Sequence, residues 1–316
     1  MVKMVLKRIV QLIPILFVVV TITFFITRVI PGNPAAIVLG PQASVEAVEA
    51  LQEEMGLNKP IVVQYVDYLK QLLSGNLGKS YHYNKPVVEL IKERFPNTVQ
   101  LSIASLVIAL IIGIPAGVLS ATKQNSIWDY LLSVLSLCGV SIPIFWLGIM
   151  VVLLFSVNLG WLPTLGMGSI QNGIGDVISH MVLPALCLAT IPAANFARTT
   201  RAAMLEVVGS DYVKALRARG VSEKKVIFKH ALKNAFSSIV TVIGIQTASL
   251  LSGAIMTETI FSWPGLGKLI VEAVGNRDYA LIQSCVLFIA IVYVFINLLV
   301  DVVYIMINPK VSFEGK

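Results

Sequence analysis

Six stretches of this chain are apolar for long enough to cross a lipid bilayer, at about 9–30, 98–121, 129–157, 178–197, 237–261 and 280–307. A helix needs about 20 apolar residues to span the hydrocarbon core. Lipid offers backbone N–H and C=O groups no partners, so a spanning segment is either a helix or part of a closed barrel. Six scattered runs of this length do not read as barrel strands of about ten alternating residues. The chain is therefore expected to be an all-α polytopic membrane protein with six transmembrane helices. Composition agrees: 13% of residues are charged, against about 25% in a soluble domain, and the mean hydropathy is +0.83.

The opening "MVKMVLKRIVQLIPILFVVVTITFFITRVIPGNP" mimics a secretory signal. Its apolar run is longer than a signal core of roughly 7–15 residues, and no A-x-A-like site follows it. It reads as a retained first span. Pro14, Pro115, Pro143, Pro184 and Pro192 lie inside spans. Each removes an intrahelical hydrogen bond and is expected to bend its helix.

Lysine and arginine set the orientation. Lys3, Lys7 and Arg8 precede the first span, and Lys123 lies between the second and third. Nine cations fall between the fourth and fifth: Arg198, Arg201, Lys214, Arg217, Arg219, Lys224, Lys225, Lys229 and Lys233. Lys310 and Lys316 end the chain. The connection "NLGWLPTLGMGSIQNGIGD" between the third and fourth has none, and Lys268 and Arg277 lie between the fifth and sixth. Both termini are expected on the cytoplasmic side. The net charge of +7 thus flanks apolar segments, where anionic headgroups meet it, and does not point to nucleic acid.

The long connection at 31–97 is expected to form an extracytoplasmic helical cap. "SVEAVEALQEEMGL" reads as a helix capped by Ser44 and ending near Gly56, and "PIVVQYVDYLKQLLSG" as a second between Pro60 and Gly75. The remaining divisions are the first helix at 1–30, a core at 98–307 with a cytoplasmic loop at 198–236, and a tail at 308–316.

Chemistry-bearing motifs are few. "LLSGNLGKS" ends like a phosphate loop, but the required first glycine is Leu73. His82, His180 and His230 share no spacing, and His230 reads as a solvated surface residue. Cys138, Cys187 and Cys285 lie in apolar runs and read as small hydrophobes, with no metal spacing. No catalytic set and no metal site is expected. "GIPAG" at 113–117 fits a small-xxx-small contact that brings helices close. Glu258 lies near the outer end of the fifth span. Asp301 is the one acid well inside a span and reads as a packed or interfacial residue.

The stretch "DYVKALRARGVSEKKVIFKHALKN", 211–234, is basic and amphipathic in an otherwise oily chain. Ser210 and Asp211 can cap a helix start, and Gly220 can stop it. Ser222 can cap a second helix, with Glu223 at its positive end. The result is helix, glycine turn, helix. It is either a basic helix on the inner leaflet or a docking element for a cytoplasmic partner.

The stretch resembles the EAA loop of binding-protein-dependent ABC importer permeases, on "DYVKALRARGVSEKKV" and "HALKNA". "VIPGNPA", "ETIFSWPGLGKLIVEAVGNRDYALIQ" and "NPKV" resemble the dipeptide, oligopeptide and nickel branch in the same order, so the likeness covers essentially the whole chain. Leu216 stands where alanine is usual and Ser238 where proline is usual. "NPKVSFEGK" replaces a commoner D-P-R ending. Ser238 is expected to straighten the start of the fifth span.

The resemblance implies a type I ABC importer transmembrane domain: a B-type permease in a bacterial or archaeal cytoplasmic membrane. It implies a C-type permease as heterodimer partner, two cytoplasmic ATPases that bind ATP and Mg, and an extracytoplasmic substrate-binding protein. Asp211, Lys214, Ala215, Leu216, Arg217, Gly220, Ser222 and Glu223 would form the ATPase-coupling loop. Di- or oligopeptides are the expected cargo, with a nickel chelate as the alternative. A stand-alone secondary carrier would need mid-membrane carboxylates, and only Asp301 is available. An intramembrane enzyme would need a catalytic set.

Overall fold

The structure, a computed structural model, describes the backbone of residues 2–29 and 32–307, and the side chains of 10–29, 32–251, 254–300 and 302. The tail 308–316, with Lys310, Lys316 and all of "NPKV", lies outside the described residues, as do the side chains of Lys3, Lys7, Arg8 and Asp301. Among the described residues five helices are long and apolar enough to cross a membrane, or six if one sharply bent helix pair is a single span.

In chain order the elements are α1 (Val2–Val29), α2 (Pro34–Leu39), α3 (Val45–Glu54), α4 (Ile61–Leu73), the short strands β1 (Lys79–Ser80) and β2 (Lys85–Pro86), and α5 (Val87–Thr122). Then come α6 (Ile127–Ser141), α7 (Ile144–Val151) running into a π-helical turn (Val152–Asn158), and α8 (Ile174–Val208). Next are α9 (Asp211–Ala218), α10 (Glu223–Lys225), a second π turn (Val226–Ala231) and α11 (Leu232–Ile260). α12 (Leu266–Gly275) and α13 (Tyr279–Ile307) end the described chain. The chain divides into two compact units, residues 1–98 with 264–294, and residues 99–263 with 295–316.

In the first unit the two predicted cap helices form as α3 and α4. The Ser44 hydroxyl accepts from the Ala47 N–H at 3.2 Å, and Gly56 and Gly75 take the positive φ their turns require. The core joins Val87, Leu90 and Ile91 of α5 to Leu266, Leu269 and Ile270 of α12 and Leu281, Ile282 and Cys285 of α13. α12 is an element the apolar-run reading missed. It is ten residues long, too short to register as a span. Its start is fixed where the Leu266 N–H donates to the Thr98 hydroxyl at 2.8 Å. The phosphate-loop look-alike runs from the end of α4 into the first strand of a hairpin: β1 pairs antiparallel with β2, and the buried Ser80 hydroxyl donates to Asp278 Oδ2 at 2.5 Å.

In the second unit α8 is the hub, packing on α6, α7 and α11. Gly113 and Gly117 press α5 onto it: a Cβ on Gly113 would lie 2.5 Å from the Ala193 carbonyl oxygen, and one on Gly117 would lie 2.5 Å from that of Ala197. "GIPAG" is thus the close-approach seam its pattern predicts. α11 and α13 also approach closely, since a Cβ on Gly244 would meet Val300 at 2.0 Å. Glu258 is fully buried.

Of the five prolines expected to bend spans, only Pro143 breaks one. α6 and α7 meet there at 104°. Ile142, held extended at φ −73° and ψ 124°, is kept out of the helical region by the following proline ring. The helices run through Pro14, Pro115, Pro184 and Pro192. The segment expected as the third span is therefore a helix pair bent at Pro143, not one kinked helix. The cysteines are free; Cys187 and Cys285 are buried and Cys138 is exposed.

Candidate functional site

The basic stretch folds as one short helix hung between two long ones. α8 ends at Val208, the chain turns at Gly209 and Ser210, and α9 begins at Asp211. Ser210 has the extended backbone of an N-cap, but its hydroxyl donates to the Val207 carbonyl at 2.6 Å instead. The predicted cap is thus right in place and not in bonding. The preceding helix offers a carbonyl within reach, and the hydroxyl takes it. Asp211 supplies negative charge to the first turn, which favours the positive end of a helix.

The end of α9 follows the prediction closely. Gly220 sits at φ +75°. Its N–H donates to the Arg217 carbonyl at 2.9 Å, and that of Val221 to the Leu216 carbonyl at 3.2 Å. This is a Schellman motif, which satisfies two helix-end carbonyls and reverses the chain. Nothing lies within 4 Å of where a Gly220 Cβ would stand. The constraint at Gly220 is therefore conformational, not steric.

The second predicted helix does not exist as a separate unit. α10 is only three residues long and runs directly into the π turn and α11. Ser222 has no side-chain cap bond. Glu223 instead reaches back across the glycine turn: Arg217 Nη2 donates to its Oε1 at 2.6 Å and Arg217 Nε to its Oε2 at 3.0 Å. This bidentate pair keeps the Arg217 guanidinium firmly protonated. It also clamps the turn from outside. Lys214 pairs with Asp211 at 2.9 Å on the same helix.

Asp211, Lys214, Ala215, Arg217, Gly220, Ser222 and Glu223 are all exposed, and Leu216 is half-buried. The structure brings these eight residues together on α9 and its C-terminal turn. Val213 points the other way and is fully buried, as is Val226 on the π turn. Below them Val118, Ala121, Ala203, Met204, Ala231 and Ala235 form a core that holds the ends of α5, α8 and α11 together. The segment is thus a rigid projection on a packed base, with a free polar face. Between 211 and 233 it carries seven cations against two acids, so its field is positive.

Three features lay beyond the sequence reading. His230 is not simply solvated: its Nδ1 lies 2.9 Å from the Tyr212 hydroxyl, tying α9 to the π turn. Phe228 is exposed beside it. The third is a lock at the base. Asp129, buried at the start of α6, accepts from Arg201 Nε at 2.7 Å and Nη2 at 2.8 Å, from the Asn125 N–H at 3.0 Å and from the Ser120 hydroxyl. It joins the end of α5, the start of α6 and α8 in one charged network. "DYVK" and "HALK" held the signal for the Tyr212–His230 contact. Nothing local pairs Asp129 with a residue 72 positions away.

The family described as "Binding-protein-dependent transport system inner membrane component" matches residues 113–313, and a companion N-terminal family of the same systems matches residues 1–102. A dipeptide transport system permease protein (DppB) of Alkalihalophilus pseudofirmus is 45% identical over 97% of this chain and 98% of its own. A di/tripeptide transport system permease protein of Pseudomonas aeruginosa is 40% identical over 99% and 100%. A glutathione transport system permease protein of Escherichia coli is 40% identical over the same shares. Among solved structures, the inward-facing MetNI methionine ABC transporter aligns with a TM-score of 0.58 at 20% identity, over 70% of this chain and 97% of that one. The fold is that of a type I ABC importer transmembrane domain. This chain belongs to the inner membrane components of binding-protein-dependent transport systems, and is a multi-pass integral membrane transport subunit.

Proposed function

We propose that this chain is the permease subunit of an ATP-driven importer of di- or oligopeptides in a cytoplasmic membrane, and that α9 with its glycine turn is where a partner ATPase seats. The relatives named for dipeptides, di- and tripeptides and glutathione, itself a short peptide, support the cargo. The geometry of α9 supports the docking role: an exposed helix rigidly fixed at Val213 and clamped by Arg217–Glu223. A rigid projection transmits displacement; a mobile loop absorbs it. Closure of two ATPases around bound ATP and Mg would push α9, and α8 and α11 would carry the push into the membrane. A second permease would complete the pathway. An extracytoplasmic binding protein would deliver peptide to it.

The test is reconstitution with the cognate partners in liposomes. Uptake of a labelled dipeptide should require the ATPases and hydrolysis. Gly220→Trp or Leu216→Glu should abolish uptake and co-purification of the ATPases, while membrane insertion persists. Uptake by the lone chain, or of a nickel chelate in preference to peptide, would refute the reading.

A further inference from the structure

The second unit holds a groove of about 560 Å³ among its apolar helices, walled by α5, α6, α7 and α8. The 104° break between α6 and α7 opens this wedge beside α8. On α8 the wall runs from Val182 through Leu186, Thr190 and Ala194 to Ala197, a stripe at helical spacing. At about 1.5 Å per residue the stripe is about 22 Å long. Spread over that length, the volume gives a cross-section of about 25 Å², against about 80 Å² for a helix about 10 Å across. The groove is a slot for one extended chain, not for a helix. Its two hydroxyls are engaged by their own helices: Ser136 donates to the Leu132 carbonyl at 2.8 Å and Thr190 to that of Leu186 at 3.0 Å. That leaves little to hold water and little to pair the backbone groups of a peptide. Leu135 and Leu186 line the groove and are exposed, so its flank is open.

At the cation-rich end of α8 the groove continues, across Ala116, Leu132, Ser136 and Ala197, into a cleft lined by Arg198 and Arg201. Arg201 is held by Asp129. Arg198 is exposed. Among the described residues it makes one hydrogen bond, from Nη2 to Asn195 Oδ1 at 2.9 Å, and no ion pair. The level of this mouth is marked on α6. Asp129, which reaches Arg201, stands between Trp128 and Tyr130, both exposed, and the Lys123 ammonium lies 5.8 Å over the Trp128 ring. Amphipathic rings beside lysine at a helix end belong to the headgroup layer. We propose that the groove holds one acyl chain of an anionic phospholipid, with the headgroup phosphate on Arg198. The cytoplasmic leaflet carries the negative lipids, and the cations place this mouth on that side. The proposal stands whatever the cargo.

The test is native mass spectrometry of the full-length chain in detergent, titrated with dioleoyl phosphatidylglycerol or dioleoyl phosphatidylcholine. One phosphatidylglycerol should stay bound under activation that strips phosphatidylcholine. Arg198→Gln should weaken it about tenfold, the loss of one charge-assisted contact. Thr190→Phe, which fills the slot, should abolish the tight site. Lys224→Gln, at an exposed cation that lines neither groove nor cleft, should change nothing. Phosphatidylglycerol should also raise the unfolding temperature of the parent and of Lys224→Gln, but not of Arg198→Gln or Thr190→Phe. The same melts show which variants are folded; should Thr190→Phe fail to fold, Arg198→Gln against Lys224→Gln decides alone. Equal retention of the two lipids, or equal loss in Arg198→Gln and Lys224→Gln, overturns the proposal in favour of diffuse surface charge. So does unchanged retention in a folded Thr190→Phe. Displacement of the lipid by inorganic phosphate, by Ala-Ala or by co-purified second permease overturns it too, and assigns the groove to that occupant.

Discussion

The α5–α8 seam should not tolerate a single methyl group. In Gly117→Ala the new Cβ would stand 2.5 Å from the Ala197 carbonyl oxygen, 2.6 Å from Thr200 Cβ and 3.0 Å from the Arg201 N–H. Two of these three are backbone atoms of a long helix and cannot swing aside. Ordinary contact begins at 3.4 Å, so the helices must part locally by about 0.9 Å. A gap of 0.5–1 Å forfeits roughly a quarter to a half of the dispersion energy at each contact it opens. With the overpacking strain, the cost is about 1–3 kcal/mol. At roughly 2 °C per kcal/mol for a chain of this size, the unfolding temperature should fall by about 2–6 °C. The assay is thermal unfolding in detergent at a fixed scan rate, followed by tryptophan fluorescence. Gly113→Ala meets the same wall one turn earlier, at Ala193 and Phe196. The double variant should therefore cost less than the two singles added, because one separation relieves both clashes. Gly175→Ala is the control, since nothing lies within 4 Å of its Cβ and alanine favours a helix. A Gly117→Ala protein that unfolds no earlier than its parent, or a strictly additive double, refutes the seam.

Three further outcomes follow from single sites. Asp129→Asn removes the carboxylate that pairs Arg201 at a buried anchor; because Arg201 is one-third exposed, the loss should fall at or just below the low end of the range for a broken buried pair, about 2–3 kcal/mol, and Asp129→Leu with Arg201→Leu should recover part of it in the same melt. Gly220→Ala should cost about 1 kcal/mol from the left-handed backbone alone and Gly220→Asn less, read as faster limited tryptic cleavage after Arg219 in the alanine variant first. Tyr83 is held protonated up to about 12 by burial and by donating to Glu272 at 2.8 Å. As its folded value lies above the ordinary phenol value of about 10, its stabilisation is whole below pH 10 and fades as pH climbs towards 12; an ultraviolet phenolate titration should lose a late-titrating group in Tyr83→Phe.

What the sequence disclosed and what it hid divide along the range of the interaction. Ser44, Gly56, Gly75 and Gly220 were legible because a cap or a left-handed turn is decided within a few residues. "GIPAG" was legible because spacing alone places both glycines on one face. Pro143 carried a clear signal, yet the same residue type at Pro184 and Pro192 left the helix unbroken. The backbone of the preceding residue separates these cases, since Ile142 is extended. α12 was hidden because a ten-residue buried helix has no span-length run. Asp129 with Arg201 was hidden because the pair meets only through the fold.

These hidden contacts also decide how the proposed lever would work. The stretch of α8 from Ala193 to Val208 carries three connections in sequence. Ala193 and Ala197 receive the glycine seam of α5; Arg201 holds Asp129 of α6; Ala203 and Met204 share a core with α5 and α11. Three residues past its end α9 begins. A displacement of α9 thus enters one helix that is separately fastened to three others, by backbone contact, by charge and by packing. Close-packed interfaces of this kind move between discrete arrangements and do not stretch. If the ATPase seats on α9 as proposed, Asp129→Asn should uncouple ATP hydrolysis from uptake while leaving ATPase binding intact, because the docking face is untouched and only its fastening to α6 is cut. Loss of both together would mean that the network shapes the docking face itself, and that the push does not travel through Arg201.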